Sequence, residues 1–139
     1  MTIVWREQMS VGIKEIDDDH QNLIGIINDF EAAARRGAGM IDEAGMRAIL
    51  RRLQRYARDH FLREERVQEV AGYDGLAENK IQHTMLLRSL NDFIVKYTEG
   101  KLGPVVEATE KMKDLLTHWL VDHILRTDLK MKGKIKGVS

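Results

Sequence analysis

Cysteine is absent from the 139 residues, which removes disulfides, zinc–thiolate sites and thiol nucleophiles together. Any tightly held metal must then be bound by His, Asp, Glu, Asn, Gln or water. Proline is nearly absent: the one residue, Pro104, argues against an all-β or loop-rich fold. An excess of either charge is also missing. Lys+Arg and Asp+Glu both number 22, so composition gives no pull toward nucleic acid or an anionic membrane. No apolar run approaches the roughly 20 residues that span a bilayer. The start, Met1-Thr2-Ile3-Val4-Trp5-Arg6-Glu7, lacks the basic-then-apolar order of a secretory signal. A cytoplasmic protein with no nucleic-acid or membrane partner is the expectation.

The length suits a single domain over residues 1–139, able to bury its own core. Glycine punctuates the chain at Gly37-Ala38-Gly39, at Gly72-Tyr73-Asp74-Gly75 and at Gly100-Lys101-Leu102-Gly103-Pro104. The last break has glycine after one helix and proline just inside the next. Apolar residues recur at helical spacing in the four segments left between: about 18–36 (Leu23, Ile24, Ile27, Phe30), 42–71 (Ile49, Leu53, Tyr56, Val67), 76–97 (Leu86, Leu87, Leu90, Phe93) and 105–129 (Met112, Leu115, Leu116, Ile124). Short connections make neighbours antiparallel. The expected fold is therefore all-α, an up-down-up-down four-helix bundle. Residues 1–17 read as a non-helical N-terminal arm packing Ile3, Trp5, Val11 and Ile16. The basic, glycine-broken tail 130–139 reads as a solvated end.

Polar residues stand on the apolar stripes. His60 and Glu64 share the stripe of Leu53 and Val67, about 40° apart around the helix and about 6 Å along it. His83 and His123 lie on the stripes of the third and fourth segments, and His20 opens the first. A lone inward histidine is most often a hydrogen-bonded core residue. Four on four helices, with a carboxylate, instead match the way bundles build metal sites. Imidazole and carboxylate without thiolate suit iron, zinc or manganese. Asp128 lies five residues past His123, about 140° around a regular helix, so spacing alone leaves it on the surface.

Three stretches together resemble the bacterial hemerythrin family: Trp5 to His20, with Ser10-Val11-Gly12-Ile13 and Ile16-Asp17; His60-Phe61-Leu62-Arg63-Glu64-Glu65; and Trp119 through His123 to Asp128. The resemblance implies a bundle holding two iron ions (Fe2+/Fe3+) with an oxo or hydroxo bridge and O2 as ligand. It makes Glu64 and Asp128 the shared carboxylates, His20 and His60 the histidines of one iron, and His83 and His123 histidines of the other. The family has a further histidine four residues before His83; here Asn79 stands there. Asp74 and Gln68 also replace residues common in the family, a proline and a methionine. Asn79 leaves three arrangements open: direct amide ligation, a water held by the amide, or a poorly filled second position. His118, five residues before His123, reads as a surface or subunit-contact residue. Ile24, Phe61, Trp119, Leu120 and Ile124 are the expected apolar lining of a ligand pocket, and Gln68 is either a polar member of it or a solvated helix end.

The function expected from the resemblance is O2 binding, as carrier, store or sensor, rather than catalysis. The first alternative is a redox enzyme acting on O2, peroxide or nitric oxide, because Asn79 opens a second coordination position. The second is a mononuclear or zinc-substituted site. The partner is expected to be a small diatomic ligand. The chain reads as a monomer or weak homo-oligomer, with a separate redox or signalling partner if it senses.

Overall fold

A computed structural model describes residues 3–117, 122–124 and 128–134. Among these there are helices and no strand: α1 Lys14–Arg36, α2 Glu43–Ala71, α3 Leu76–Thr98 and α4 Val105–Leu116, with 3-10 turns at Glu7–Met9 and Asp128–Met131. The connections are short, α1 packs on α2 and α4, and α2 packs on α3. This is the antiparallel four-helix bundle.

Each boundary has a local cause. Asp42 caps α2 by accepting from the Gly45 amide at 2.7 Å. Gly72 ends α2 in the left-handed region (φ 66°), and the Tyr73 amide closes the turn on the Gln68 carbonyl at 2.9 Å. The first helix starts at Lys14, ahead of the expected 18, because the arm folds back onto it. The Asp17 carboxylate accepts from the Ser10 hydroxyl and from the Val11 amide, and Ile13 and Ile16 are fully buried. Farther out, Asn28 pins the arm by exchanging two hydrogen bonds of 2.8 Å with the Ile3 backbone.

The fourth segment is not one regular helix. Regular winding ends at Leu116, and Thr117 and residues 122–124 are wound in the wider π manner. The Asp128–Met131 turn follows. Residues 118–121 and 125–127 and the tail from 135 onward, which includes His118, Trp119 and Leu120, lie outside the described residues.

Antiparallel order gathers the start of α1, the end of α2, the start of α3 and the stretch after α4 at one end of the bundle. The opposite end is filled by a large apolar cluster that includes Phe30, Ile41, Met46, Leu102 and Met112. A smaller cluster of Val11, Ile13, Ile16, Val67 and Met131 closes the near end. Full burial of each such aliphatic side chain stabilises the fold by about 1.5–3 kcal/mol. The polar residues of the inward stripes sit between these two apolar layers.

Candidate metal centre

His20 (α1), His60 and Glu64 (α2), Asn79 and His83 (α3), and His123 and Asp128 beyond α4 are all buried, none exposed by more than 5 %. Their polar atoms converge. Glu64 Oε2 stands 3.2 Å from His60 Nε2 and 3.6 Å from His20 Nε2, while Glu64 Oε1 stands 3.2 Å from His83 Nε2. Asp128 Oδ2 is 3.1 Å from His20 Nε2, and Asp128 Oδ1 is 3.3 Å from His123 Nε2. Each carboxylate thus reaches into the His20–His60 pair with one oxygen and to a histidine of the His83–His123 pair with the other. Two donor sets result, His20–His60–Glu64–Asp128 and Glu64–His83–His123–Asp128, each with one atom per residue within 4.8 Å of the rest. Imidazole nitrogen and carboxylate oxygen bind zinc-like cations at about 2.0–2.2 Å, so ligand atoms on one ion stand up to about 4.4 Å apart. Each set is close to that size.

Asp128 reaches the centre because the backbone before it departs from 3.6-residue winding. Bonding from i to i+5, as at residues 122–124, changes the angle per residue from that of a regular helix, so the 140° expected from spacing does not hold.

Outer partners fix how the rings face. His60 Nδ1 donates to Asp19 Oδ2 at 3.0 Å, and Arg63 clamps the same carboxylate with bonds of 2.8 and 2.7 Å. His83 Nδ1 donates to Glu65 Oε2 at 2.7 Å, and His123 Nδ1 donates to Gln82 Oε1 at 2.9 Å. Acceptors at Nδ1 leave the Nε2 lone pair pointing inward. The sequence reading did not single out Asp19, Gln82 or the outer roles of Arg63 and Glu65. Adjacency to a ligand was the only signal available. Tyr56 stacks on the His60 ring with centroids 5.6 Å apart, and its hydroxyl donates to the Asp19 carbonyl.

These atoms suit a cation. His83 Nε2 and His123 Nε2 face each other at 3.1 Å, although both rings have their Nδ1 protons committed outward. Two lone pairs at that distance repel unless a positive charge lies between them. His60 Nε2, Glu64 Oε2 and Asp128 Oδ1 are buried without a hydrogen-bond partner, an arrangement that is costly without a cation.

Protonation follows the same crowding. Burial favours neutral Glu64, yet the His20, His60 and His83 imidazoles outweigh it and hold this carboxyl well below its usual range. Burial, reinforced by the Glu64 charge, pushes Asp128 up to about 7. Burial also opposes charge on His60, but Asp19 and Glu64 raise it to about 9, and Asp128 and Glu64 raise His20 in the same way. Burial takes His123 down to about 3, helped by the neighbouring imidazoles.

Of the expected pocket residues, Ile24, Phe61 and Ile124 are buried, at 7, 3 and 4 % exposure. Phe61 lies flat on His83 (centroids 4.0 Å, 8°) and also touches the His60 and His123 rings, so it walls both donor sets. Gln68 is fully buried, not solvated, and its amide donates to Met131 Sδ at 3.0 Å. Asn79 Nδ2 donates to Glu64 Oε1 at 3.1 Å.

The model of the hemerythrin HHE cation-binding domain matches residues 11–135. A bacteriohemerythrin of Pseudomonas aeruginosa is 28% identical over 126 residues, covering 91% of this chain and 76% of the relative. Myohemerythrin-1 of Phascolopsis gouldii is 32% identical over 133 residues, covering 95% and 93%. The crystal structure of a wild-type hemerythrin superposes with a TM-score of 0.73 at 23% identity, covering 99% of this chain and 100% of that one.

Proposed function

The chain belongs to the hemerythrin HHE cation-binding family, and from that premise we propose that it is a non-haem diiron protein that binds O2 as a carrier, store or sensor. What supports this most is the pair of four-residue donor sets that share Glu64 and Asp128. In this reading His20 and His60 hold one iron, His83 and His123 hold the other, and the two carboxylates join them. Bound iron supplies the electrons and Lewis acidity with which O2 is held. The protein supplies the rest. Asp19, Glu65 and Gln82 keep three imidazoles turned with Nε2 inward. Phe61, Ile24 and Ile124 keep water from the centre, which favours a small neutral diatomic ligand over proton-driven side reactions.

A second reading, a redox enzyme consuming O2, peroxide or nitric oxide, draws on Asn79. Where a further imidazole would fill a coordination position, this residue offers an amide that donates to Glu64. Two histidines and the two shared carboxylates would then hold each iron, and each would be free to exchange a further ligand. Among the described residues no helix is long and apolar enough to cross a membrane. We place the protein in the cytoplasm with no nucleic-acid partner.

The test is iron per chain in protein purified without added metal, the absorption spectrum in air, and an O2 titration of the reduced form. About two irons with reversible O2 uptake are expected. Stoichiometric consumption of O2 moves the assignment to the enzyme, and one iron or fewer, or zinc, overturns the diiron reading.

A further inference from the structure

Two buried amides flank the second donor set, and both spend their donors inside the protein. Asn79 Nδ2 donates to Glu64 Oε1, the oxygen that faces His83. Gln68, one helical turn past Glu64, donates through Nε2 to Met131 Sδ, at the end of the turn that Asp128 opens. Asn79 Oδ1 and Gln68 Oε1 remain, buried at 2 and 0 % residue exposure and without a hydrogen-bond donor. Apolar side chains of similar volume would fit this place without that desolvation cost. Each orphan carbonyl calls for a donor that the protein does not supply, and a water molecule has one O–H for each.

We infer that Asn79 and Gln68 hold a water molecule that serves as the extra ligand of the cation at Glu64–His83–His123–Asp128. The water donates one O–H to each carbonyl and presents its lone pair to the cation. Donation of both protons keeps it neutral and exchangeable. Among the described residues the His20–His60 position has no such amide pair, so the two cations are held unequally: the second has one ligand more, and that ligand is exchangeable. This inference rests on the two-cation reading above and adds the identity of one ligand.

Co2+ serves as the probe, titrated into the metal-depleted full chain by calorimetry and visible absorption. Two binding events are expected. Asn79→Leu and Gln68→Met should each weaken the event at Glu64–His83–His123–Asp128 by about 10–100-fold and leave the one at His20–His60–Glu64–Asp128 unchanged. The double variant should be no weaker than either single one, because one water is lost in every case. Gln68→Met should also raise the melting temperature of the metal-depleted chain, since it removes an orphan acceptor, and that rise shows that the variant folds. Loss of the Glu64–His83–His123–Asp128 event in Asn79→Leu alone, with Gln68→Met unchanged, means that Asn79 ligates directly and overturns the water. Unchanged binding in both variants overturns it too, leaving the two-cation centre standing. Failure of the wild-type chain to bind any Co2+ overturns both readings.

Discussion

Replacing Asp19 by asparagine tests how the chain orients its imidazoles. Asp19 is 5 % exposed and takes three charge-assisted hydrogen bonds, one from His60 and two from Arg63. Such bonds contribute about 1.5–3 kcal/mol each. An amide of the same shape keeps one oxygen to accept from His60 and Arg63 Nε, but it sets an NH2 group against the Arg63 Nη2 donor and removes the negative charge. The Arg63 side chain is one-third exposed and can turn to water, which lowers the cost of its loss. The net loss comes to about 2–3 kcal/mol, which for a chain of 139 residues shifts melting by about 6–10 °C. Circular dichroism melts of the chelator-treated chain at neutral pH measure it. The sign with pH is fixed as well. Burial resists ionisation of Asp19, but His60 and Arg63 outweigh it, so the carboxyl lies below its ordinary value. A depressed carboxyl stabilises above its unfolded value of about 3.9 and loses that contribution as pH falls through the folded one. The melting difference between Asp19→Asn and wild type should therefore shrink in acid. With a neutral amide at 19 the bond that fixes the His60 tautomer is weaker, and the cation bound through His20 and His60 should weaken by about 10–100-fold while the other stays as it was. A variant that melts within about 2 °C of wild type and binds both cations normally would refute the orienting role.

Metal removal should lower stability: at a cation concentration 100 times its dissociation constant, binding adds about 2.7 kcal/mol, so chelation should drop the melting temperature by about 8 °C, and equal melts with and without chelator would count against a bound cation. Cation binding should release protons and weaken as pH falls below about 9, and more steeply below about 7, because His60 at about 9 and Asp128 at about 7 must both be deprotonated to bind, and potentiometric titration during metal addition reads the release. For the metal-depleted chain the His60 contribution has the opposite sign to that of Asp19: raised above the ordinary histidine value by Asp19 and Glu64, it is fully present below about 6.5 and lost as pH rises through about 9. Phe61→Ala should cost about 3–5 kcal/mol through the cavity it leaves, seen as a melting drop of about 10–17 °C, and should speed loss of bound O2 because three imidazoles lose their apolar wall.

The ligand-type residues divide by how far a fixed helical period can see. His20, His60, Glu64, His83 and Asn79 lie on regular α1, α2 and α3, where apolar neighbours mark the inward stripe. Asp128 does not, because the π winding at 122–124 and the 3-10 turn that Asp128 opens change the angle per residue, and spacing assigns it to the surface. Gln68 is inward by period, one turn past Glu64, but its polarity and its place near the end of α2 fit solvent equally well; burial beneath Met131 decides it. His118, Trp119 and Leu120 lie outside the described residues and stay expectations.

The outer partners were illegible for a different reason, and it follows a rule. Asp19 precedes His20 on α1 and serves His60 of α2; Glu65 follows Glu64 on α2 and serves His83 of α3; Gln82 precedes His83 on α3 and serves His123. The offset alternates: minus one, plus one, minus one. One residue is about 100° of a right-handed helix, and antiparallel neighbours reverse the sense in which that rotation is seen from one end. The alternation therefore turns every outer partner the same way round the bundle, each helix orienting a ligand of the next. A polar residue 100° off the inward stripe reads as surface on its own helix, and only the topology shows that it faces a neighbour's imidazole. The same rule carried to the last segment selects the residues after His123 and Asp128. These are Ile124 and Leu129, which have no acceptor to offer. Among the described residues His20 Nδ1, whose turn it would be, is the one Nδ1 of the four ligand-type histidines left buried without an outer partner. The ligand order and the single orphan thus have one cause, the alternating direction of four helices around two shared carboxylates.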